Sequence, residues 1–380
     1  MLNRVAGMAQ QADVEVLQPV PHFPMLAPLP DWARADSRVA SGVRILHAPM
    51  FYLPRVLKSL DAKWLDRSIA GRVERLHRVR PIDAIDAHFG YPEGAGCMEV
   101  ARRLGIPLFI TVRGFEKEFI ARRLVGRQMR AAFDAAIGII AVSHSLQELV
   151  VQLGVDPTKT RVIHNAIDRE VFRPGDRGVA RCRLDLAPDR PLIVSVGHLI
   201  SRKRHHVLID AFARARARMP GAQLVIIGAQ SFESSYPDQL HAQVAALGIE
   251  GDVRFAGNLE PGRVAEWLQA ADVFVLATAR EGCCNAVLEA LGTGRPVVTT
   301  PVGDNRFFIR EGENGFLVPV DDAPALADAL VRARSFPAWN QAAIADRLSV
   351  GGWSDVGRLV LEFMDERLGQ RTGPQVIGAG

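Results

Sequence analysis

No apolar run in this 380-residue chain approaches the roughly 18–20 residues that a membrane-spanning helix needs. No N-terminal stretch has the basic, apolar, small-residue order of a secretory leader. Cysteine is scarce: Cys97, Cys182, Cys283 and Cys284. Their spacing does not suit zinc, and the adjacent pair cannot easily bridge to each other. These absences point to a reducing, cytoplasmic setting. Internal repeats and low-complexity tracts are missing, and no Asp-x-Asp stands in a metal-ligand context. Charge of one sign is not in large excess either. The net charge is +4, with a sequence pI of about 9.1. That is mildly basic and does not by itself mark a nucleic-acid partner.

What is present is apolar material for two cores: 48% of residues are hydrophobic, and the mean hydropathy is +0.07. At this length two domains are the prior expectation. Short β-rich runs alternate with longer amphipathic stretches. The strand candidates are Val14–Leu17, Val43–His47, Ala84–His88, Pro107–Val112, Ile137–Val142, Arg161–His164, Leu192–Val196, Gln223–Ile227, Val253–Ala256, Val273–Leu276, Pro296–Thr300 and Phe316–Pro319. Helical patterns such as Gly94–Leu104, His206–Arg218 and Pro261–Ala270 lie between them. This βαβα order predicts parallel sheets covered by helices, in two doubly wound sets. The polar, Pro- and Gly-bearing stretch Phe172–Leu192 reads as the joint. The last helix, around Trp353–Leu368, is expected to return to the first domain. Met1–Ala12 reads as a helix, so the strand and glycine-rich turn that usually open such a domain are not seen.

Charge is unevenly placed. Arg55, Lys58, Lys63, Arg67, Arg72, Arg75, Arg78 and Arg80 are interleaved with Leu57, Leu60, Trp64, Ile69, Val73 and Leu76. Arg122, Arg123, Arg127 and Arg130 form a second cluster. A solvated helix face explains both. Attraction to anionic lipid headgroups, or to a phosphorylated acceptor, explains them too.

Ligands of open parallel sheets bind beyond the carboxyl ends of the strands. Two such loops stand out. Thr278-Ala279-Arg280-Glu281-Gly282-Cys283-Cys284-Asn285 leads into a helix carrying Glu289. Gly282 allows close backbone approach, Asn285 is a good N-cap, and the helix N-terminus suits a diphosphate. Two carboxylates eight residues apart can accept hydrogen bonds from sugar and ribose hydroxyls. The bland alternative makes Glu281 a surface residue and Glu289 a helix-dipole partner. The other loop, Gly197-His198-Leu199-Ile200-Ser201-Arg202-Lys203, places basic groups where they could neutralise a diphosphate, or simply be exposed.

These segments resemble glycosyltransferase family 4, retaining enzymes of the GT-B fold. The resemblance rests on Glu281 and Glu289 separated by seven residues, on Gly294-Arg295-Pro296-Val297-Val298 after them, and on the glycine-led basic loop. Val162-Ile163-His164-Asn165-Ala166-Ile167-Asp168 with Phe172-Arg173-Pro174 is similar to the family's interdomain signature. The resemblance implies an α/β chain of two Rossmann-like doubly wound domains facing across a cleft: 1–172 on the acceptor side with its first strand missing, 173–352 binding the nucleotide sugar, and 353–380 as crossover helix and tail. It implies ribose binding by Glu289, sugar binding by Glu281 with the backbone of Gly282, Cys283, Cys284 and Asn285, and diphosphate binding by Lys203 and Arg202 beside Gly197. Gly257 and Leu259 would lie near the base. Arg113, in Thr111-Val112-Arg113-Gly114-Phe115-Glu116, takes the place of the family's histidine beside the reacting sugar. His88 follows a strand and would lie on the acceptor side, although a structural histidine is an equal reading.

The function implied is transfer of a sugar from a nucleotide-sugar donor to a glycan or lipid-linked acceptor, without metal or other cofactor and without nucleic acid, in the cytoplasm or at the inner face of the plasma membrane. A catalytically inactive scaffold of the same fold is the alternative, and Arg113 with the absent opening strand speaks for it. An epimerase or phosphorylase of the same fold is a third reading; no pyridoxal-lysine site supports the latter.

Overall fold

The computed structural model describes residues 1–23, 29–53, 56–230, 235–337 and 339–372. The chain forms two compact units: Met1–Asn165 with the residues from Trp353 on, and Ala166–Gly352. Among the described residues no helix is long and apolar enough to cross a membrane.

The first unit contains β1 (Glu15–His22), β2 (Ser37–Ala40), β3 (Val43–Phe51), β4 (Ile85–His88), β5 (Leu108–Val112), β6 (Gly138–Ala141) and β7 (Thr160–Val162). They form two sheets. One has the order β1-β3-β2, with β1 parallel and β2 antiparallel to β3. The other is the parallel sheet β4-β5-β6-β7. β5 and β6 read LFITV and GIIA and are buried at every position. Continuous apolar runs of this kind are what a parallel strand covered on both faces requires. The Arg123–Ala135 helix buries Val125, Met129, Ala132 and Phe133, the three-and-four spacing of one helical face. The opening element is the Leu2–Ala9 helix, followed directly by β1.

The Trp353–Thr372 helix belongs to this unit. Phe363 is buried and meets Phe109 of β5 edge-on at 6.2 Å. Gly7 and Gly357 let this helix and Leu2–Ala9 touch backbone to backbone, since a Cβ on Gly7 would lie 2.0 Å from the Trp353 carbonyl oxygen.

The second unit carries β8 (Leu192–Val196), β9 (Gln223–Ile227), β10 (Val253–Gly257), β11 (Val273–Leu276), β12 (Val297–Thr299) and β13 (Gly315–Leu317). All pair in parallel, in the order β10-β9-β8-β11-β12-β13. Renumbered within the unit this is 3-2-1-4-5-6, the doubly wound order whose direction reverses between its first and fourth strands. Helices cover both faces. Leu208, Phe212, Leu326 and Leu330 pack on one, and Trp267, Leu268, Val287 and Leu291 on the other. The reversal lies between β8 and β11, and its crevice opens where those two strands end.

The Phe172–Leu192 stretch is not a free joint. Phe172, Ala180 and Leu184 sit in the second unit's core, and Arg177–Arg183 is helical. Its polarity has a structural cause. Arg181 is 2% exposed and donates to the carbonyls of Ala187, Pro188, Arg190 and Ala270 and to the Asp272 carboxylate. One buried guanidinium thus fastens the loop before β8 to the entry of β11.

The ends of β8 and β9 are in near-contact. A Cβ on Gly228 would fall 2.0 Å from the Gly197 carbonyl oxygen. Gly228→Ala is therefore expected to cost about 1–3 kcal/mol through overpacking. The loss should appear as a lowered melting temperature, and an unchanged melting curve would contradict this close approach.

Candidate functional site

The loops that follow β8 and β11 are joined by three polar links. The Ala279 amide donates to the Arg202 carbonyl (2.9 Å), and the Thr278 hydroxyl lies 3.3 Å from the same oxygen. Lys203 Nζ donates to Glu281 Oε1 at 2.7 Å. Both side chains are largely withdrawn from water, Lys203 at 14% exposure and Glu281 at 7%. Glu281 Oε1 also accepts from the Thr278 hydroxyl at 2.8 Å. A short ion pair, braced by a hydroxyl, therefore stands at the topological switch point.

Glycines make room for it. At Gly197 a Cβ would meet the Lys203 stem at 3.2 Å. Gly303 has φ +56°, and a Cβ there would press on the Glu281 and Gly282 carbonyl oxygens at 3.1 and 3.2 Å. The loop after β12 thus backs the loop after β11. Thr300 strengthens that contact by donating its hydroxyl to the Thr278 carbonyl at 2.5 Å.

The Asn285–Gly292 helix begins directly after this loop. Its cap is Cys284, and no side chain caps it. The expectation that Asn285 is the N-cap is corrected: Asn285 is already the first helical residue, and its own amide lies against the Cys283 carbonyl at 3.1 Å. Cys284 is buried, and desolvation raises its thiol well above the ordinary value. Glu289 lies one turn further on. Burial pushes its carboxyl up to about 7, and Lys203 acts in the opposite direction. Gly257 ends β10 with φ +69°, and its carbonyl accepts from Gly228; Leu259 follows, partly packed on the core.

A second polar constellation lies in the first unit, at the ends of β4 and β5. Asp86 and His88 are two apart on β4, so they share a face. Asp86 Oδ2 is 3.2 Å from His88 Nε2, and Asp86 Oδ1 accepts from the Thr111 hydroxyl at 2.9 Å. These partners hold Asp86 well below the usual carboxylate range despite its burial. His88 is lowered chiefly by burial, with Asp86 opposing and Arg113 and Arg4 adding to the effect. Beyond β5 the Glu116 carboxylate, 1% exposed, accepts from the amides of Arg113 (3.2 Å) and Gly114 (2.6 Å). That holds the Arg113–Glu116 turn.

Residues 5–171 match the family described as Glycosyltransferase Family 4, and residues 190–335 match Glycosyl transferases group 1. The D-inositol 3-phosphate glycosyltransferase 2 of Catenulispora acidiphila is 30% identical over 304 residues, covering 74% of this chain and 70% of that protein. This chain belongs to glycosyltransferase family 4. It is a glycosyltransferase that uses a nucleotide-sugar donor. Among solved structures, the sucrose-phosphate synthase of Thermosynechococcus elongatus superposes with TM-score 0.77 at 20% identity, covering 97% and 93% of the two chains. Anabaena HepE, solved with UDP and glucose, gives 0.75 at 20% identity, with 95% of each chain covered. These likenesses place the two Rossmann-like units of this glycosyltransferase in the GT-B fold.

Of the residues singled out in the sequence, the second unit of this glycosyltransferase brings together Gly197, Arg202, Lys203, Glu281, Gly282, Cys283, Cys284, Asn285 and Glu289 through the loops just described. Gly257 and Leu259 stand two strands away on the same rim. His88 and Arg113 belong to the first unit. Sequence reasoning passed over Thr278, Thr300, Asp86 and Glu116. Thr278, Thr300 and Asp86 are polar and sit in or just after otherwise apolar strands, and Glu116 opens the short helix that follows β5.

The raised carboxyl of Glu289 makes a stability prediction. Its native value of about 7 lies above the ordinary 4.5, so the folded state holds the proton more tightly. Its contribution is fully present at low pH and is lost as pH rises through about 7. The melting temperature of the wild type should therefore fall relative to that of Glu289→Gln between pH 5 and pH 8. Parallel pH profiles for the two proteins would remove the assignment.

Proposed function

We propose that this glycosyltransferase moves a sugar, with retention of anomeric configuration, from a nucleotide sugar held by its second unit to a hydroxyl of a glycan or lipid-linked acceptor. The observation that carries the donor site is the buried Lys203–Glu281 pair at the switch point, beside a helix N-terminus. The Lys203 ammonium has three donors and spends one on Glu281. The others serve the donor's diphosphate, together with Arg202 and the first amides of the Asn285–Gly292 helix. Glu281, fixed by Lys203 and Thr278, accepts from hydroxyls of the transferred sugar, alongside the Gly282–Asn285 backbone. Glu289 accepts from the ribose hydroxyls. The base lies by Gly257 and Leu259. HepE crystallised with UDP and glucose supports this reading.

In the reaction the bond from the anomeric carbon to the diphosphate oxygen breaks while the acceptor oxygen bonds to the same face of that carbon. The acceptor's hydroxyl proton passes to the departing diphosphate oxygen, so no dedicated base is needed. Lys203, Arg202 and the helix end stabilise the charge that develops on the leaving group. His88 serves the acceptor side, and Arg113 has a catalytic part, supplying positive charge where the family has a histidine. No step in this scheme calls on a metal ion.

The acceptor's setting is proposed to be an anionic membrane surface, the inner face of the plasma membrane. Leu57 (56% exposed), Leu60 (36%) and Leu124 (57%) are open to water. Gln128 donates to the Ser59 carbonyl at 2.9 Å, which ties the Arg123–Ala135 helix to the Lys58–Leu60 turn. Asp61 also senses Arg122. The Lys58 end of the first basic cluster thus lies beside the second, with exposed leucines on both segments, a combination suited to lipid headgroups. Arg55 lies outside the described residues.

Lys203→Ala and Glu281→Ala should each reduce turnover on the order of 100-fold or more while melting curves still show a folded protein. Wild-type turnover should persist in excess EDTA. Near-normal turnover of both variants would sink the donor-site reading, and loss of activity in EDTA would sink metal independence. In a sedimentation assay the protein should bind vesicles rich in anionic lipid, release them at high salt, and bind less as Leu57→Asp/Leu124→Asp. Equal binding to neutral vesicles would argue against the membrane surface.

A further inference from the structure

Arg4, in the Leu2–Ala9 helix, is completely buried, and none of its three guanidinium nitrogens has a hydrogen-bond partner among the described residues. The contrast with the second unit is informative. Arg181 is equally buried, yet it reaches four carbonyls and a carboxylate. Arg295 donates to the Ala271 carbonyl and to Gln341. Arg4 has been desolvated without that compensation.

Its surroundings are cationic. Asp86 is the nearby carboxylate, but it is already engaged by His88 and Thr111. Glu116 is turned toward backbone amides. Arg113 is close enough for the two guanidinium groups to repel, and both also act on His88. Burial lowers Arg4 to about 10, with Asp86 opposing, and it therefore keeps its charge at neutral pH. An isolated buried ion costs several kcal/mol unless a counter-ion meets it. The outer members of the cluster, His88 at 13% side-chain exposure and Arg113, keep only partial contact with water.

We propose that Arg4, with His88 and Arg113, forms a pocket in the first unit for the phosphate group of a phosphorylated substrate. The planar fork of a guanidinium matches two phosphate oxygens, and a second guanidinium with an imidazole completes the cradle. The anion supplies the charge that Asp86 alone cannot. The pocket does not depend on any assignment made for the second unit. The phosphate is that of the acceptor.

The test is thermal unfolding of the full chain with inorganic phosphate at constant ionic strength. It is done in the Lys203→Ala background, so that phosphate binding at the donor site does not contribute. Saturating phosphate should raise the melting temperature by about 2–4 °C. Adding Arg4→Met should abolish that shift and leave the phosphate-free melting temperature unchanged or higher, because an uncompensated buried charge has been removed. Arg113→Met should weaken the shift. With Lys203 intact, a phosphate shift that survives saturating UDP supports the pocket, and one that UDP removes entirely overturns it. A phosphate shift that persists in Arg4→Met overturns the proposal. So does a lowered phosphate-free melting temperature, which would make Arg4 a structural partner.

Discussion

The rim where β8 and β11 end is organised around one charge pair. Lys203 and Glu281 come from loops after different strands, yet they meet at 2.7 Å with little exposure to water. Either charge alone there would lower stability without its partner, because a stranded buried ion is costly. The pair therefore fixes both loops at once. The Arg202 carbonyl, the Ala279 amide and the Thr278 hydroxyl complete the fastening. A ligand arriving at this rim meets groups already oriented, and preorganised charges of this kind give the largest electrostatic benefit to a departing diphosphate.

The two carboxylates of the second unit stand in different surroundings. Glu281 has a cation and a hydroxyl in contact. Glu289 has burial working against its charge, with Lys203 only moderating it. Environment, rather than residue type, separates their roles. The first unit repeats the theme with the opposite sign: Asp86 is well served, whereas Arg4 is desolvated without a partner. Arg181 shows what this protein does when a buried guanidinium has a purely structural task.

Much of the second unit was legible in the sequence. Leu192–Val196, Gln223–Ile227 and Val273–Leu276 are strands at the bounds that their apolar runs suggest. Buried parallel strands leave little room for polar residues, so their edges are sharp. The first unit was harder to read. β1 runs on to His22 through Pro19 and Pro21, beyond the expected Val14–Leu17. Among the described strands β1 pairs only with β3, and an edge strand tolerates prolines. β2 is four residues long, with its two central residues exposed, and leaves no apolar signature. Within the site, the paired glutamates and the basic loop were visible as residues. Their ion pair was not, because contact across 78 positions depends on strand order rather than local pattern. The polar Arg177–Arg183 segment looked like a linker for a similar reason, since the carbonyls that Arg181 satisfies include one 89 positions away.

That separation has a consequence for how the protein folds. A contact between residues 203 and 281 forms only after β9, β10 and β11 have found their places, since each lies between them in the chain. Closing so long a loop carries an entropic cost that is recovered only when the intervening sheet is assembled. A half-folded second unit therefore lacks this paired rim. Nucleotide binding becomes a readout of the completed sheet, and any nucleotide sugar bound there stabilises the unit as a whole rather than the loops that touch it.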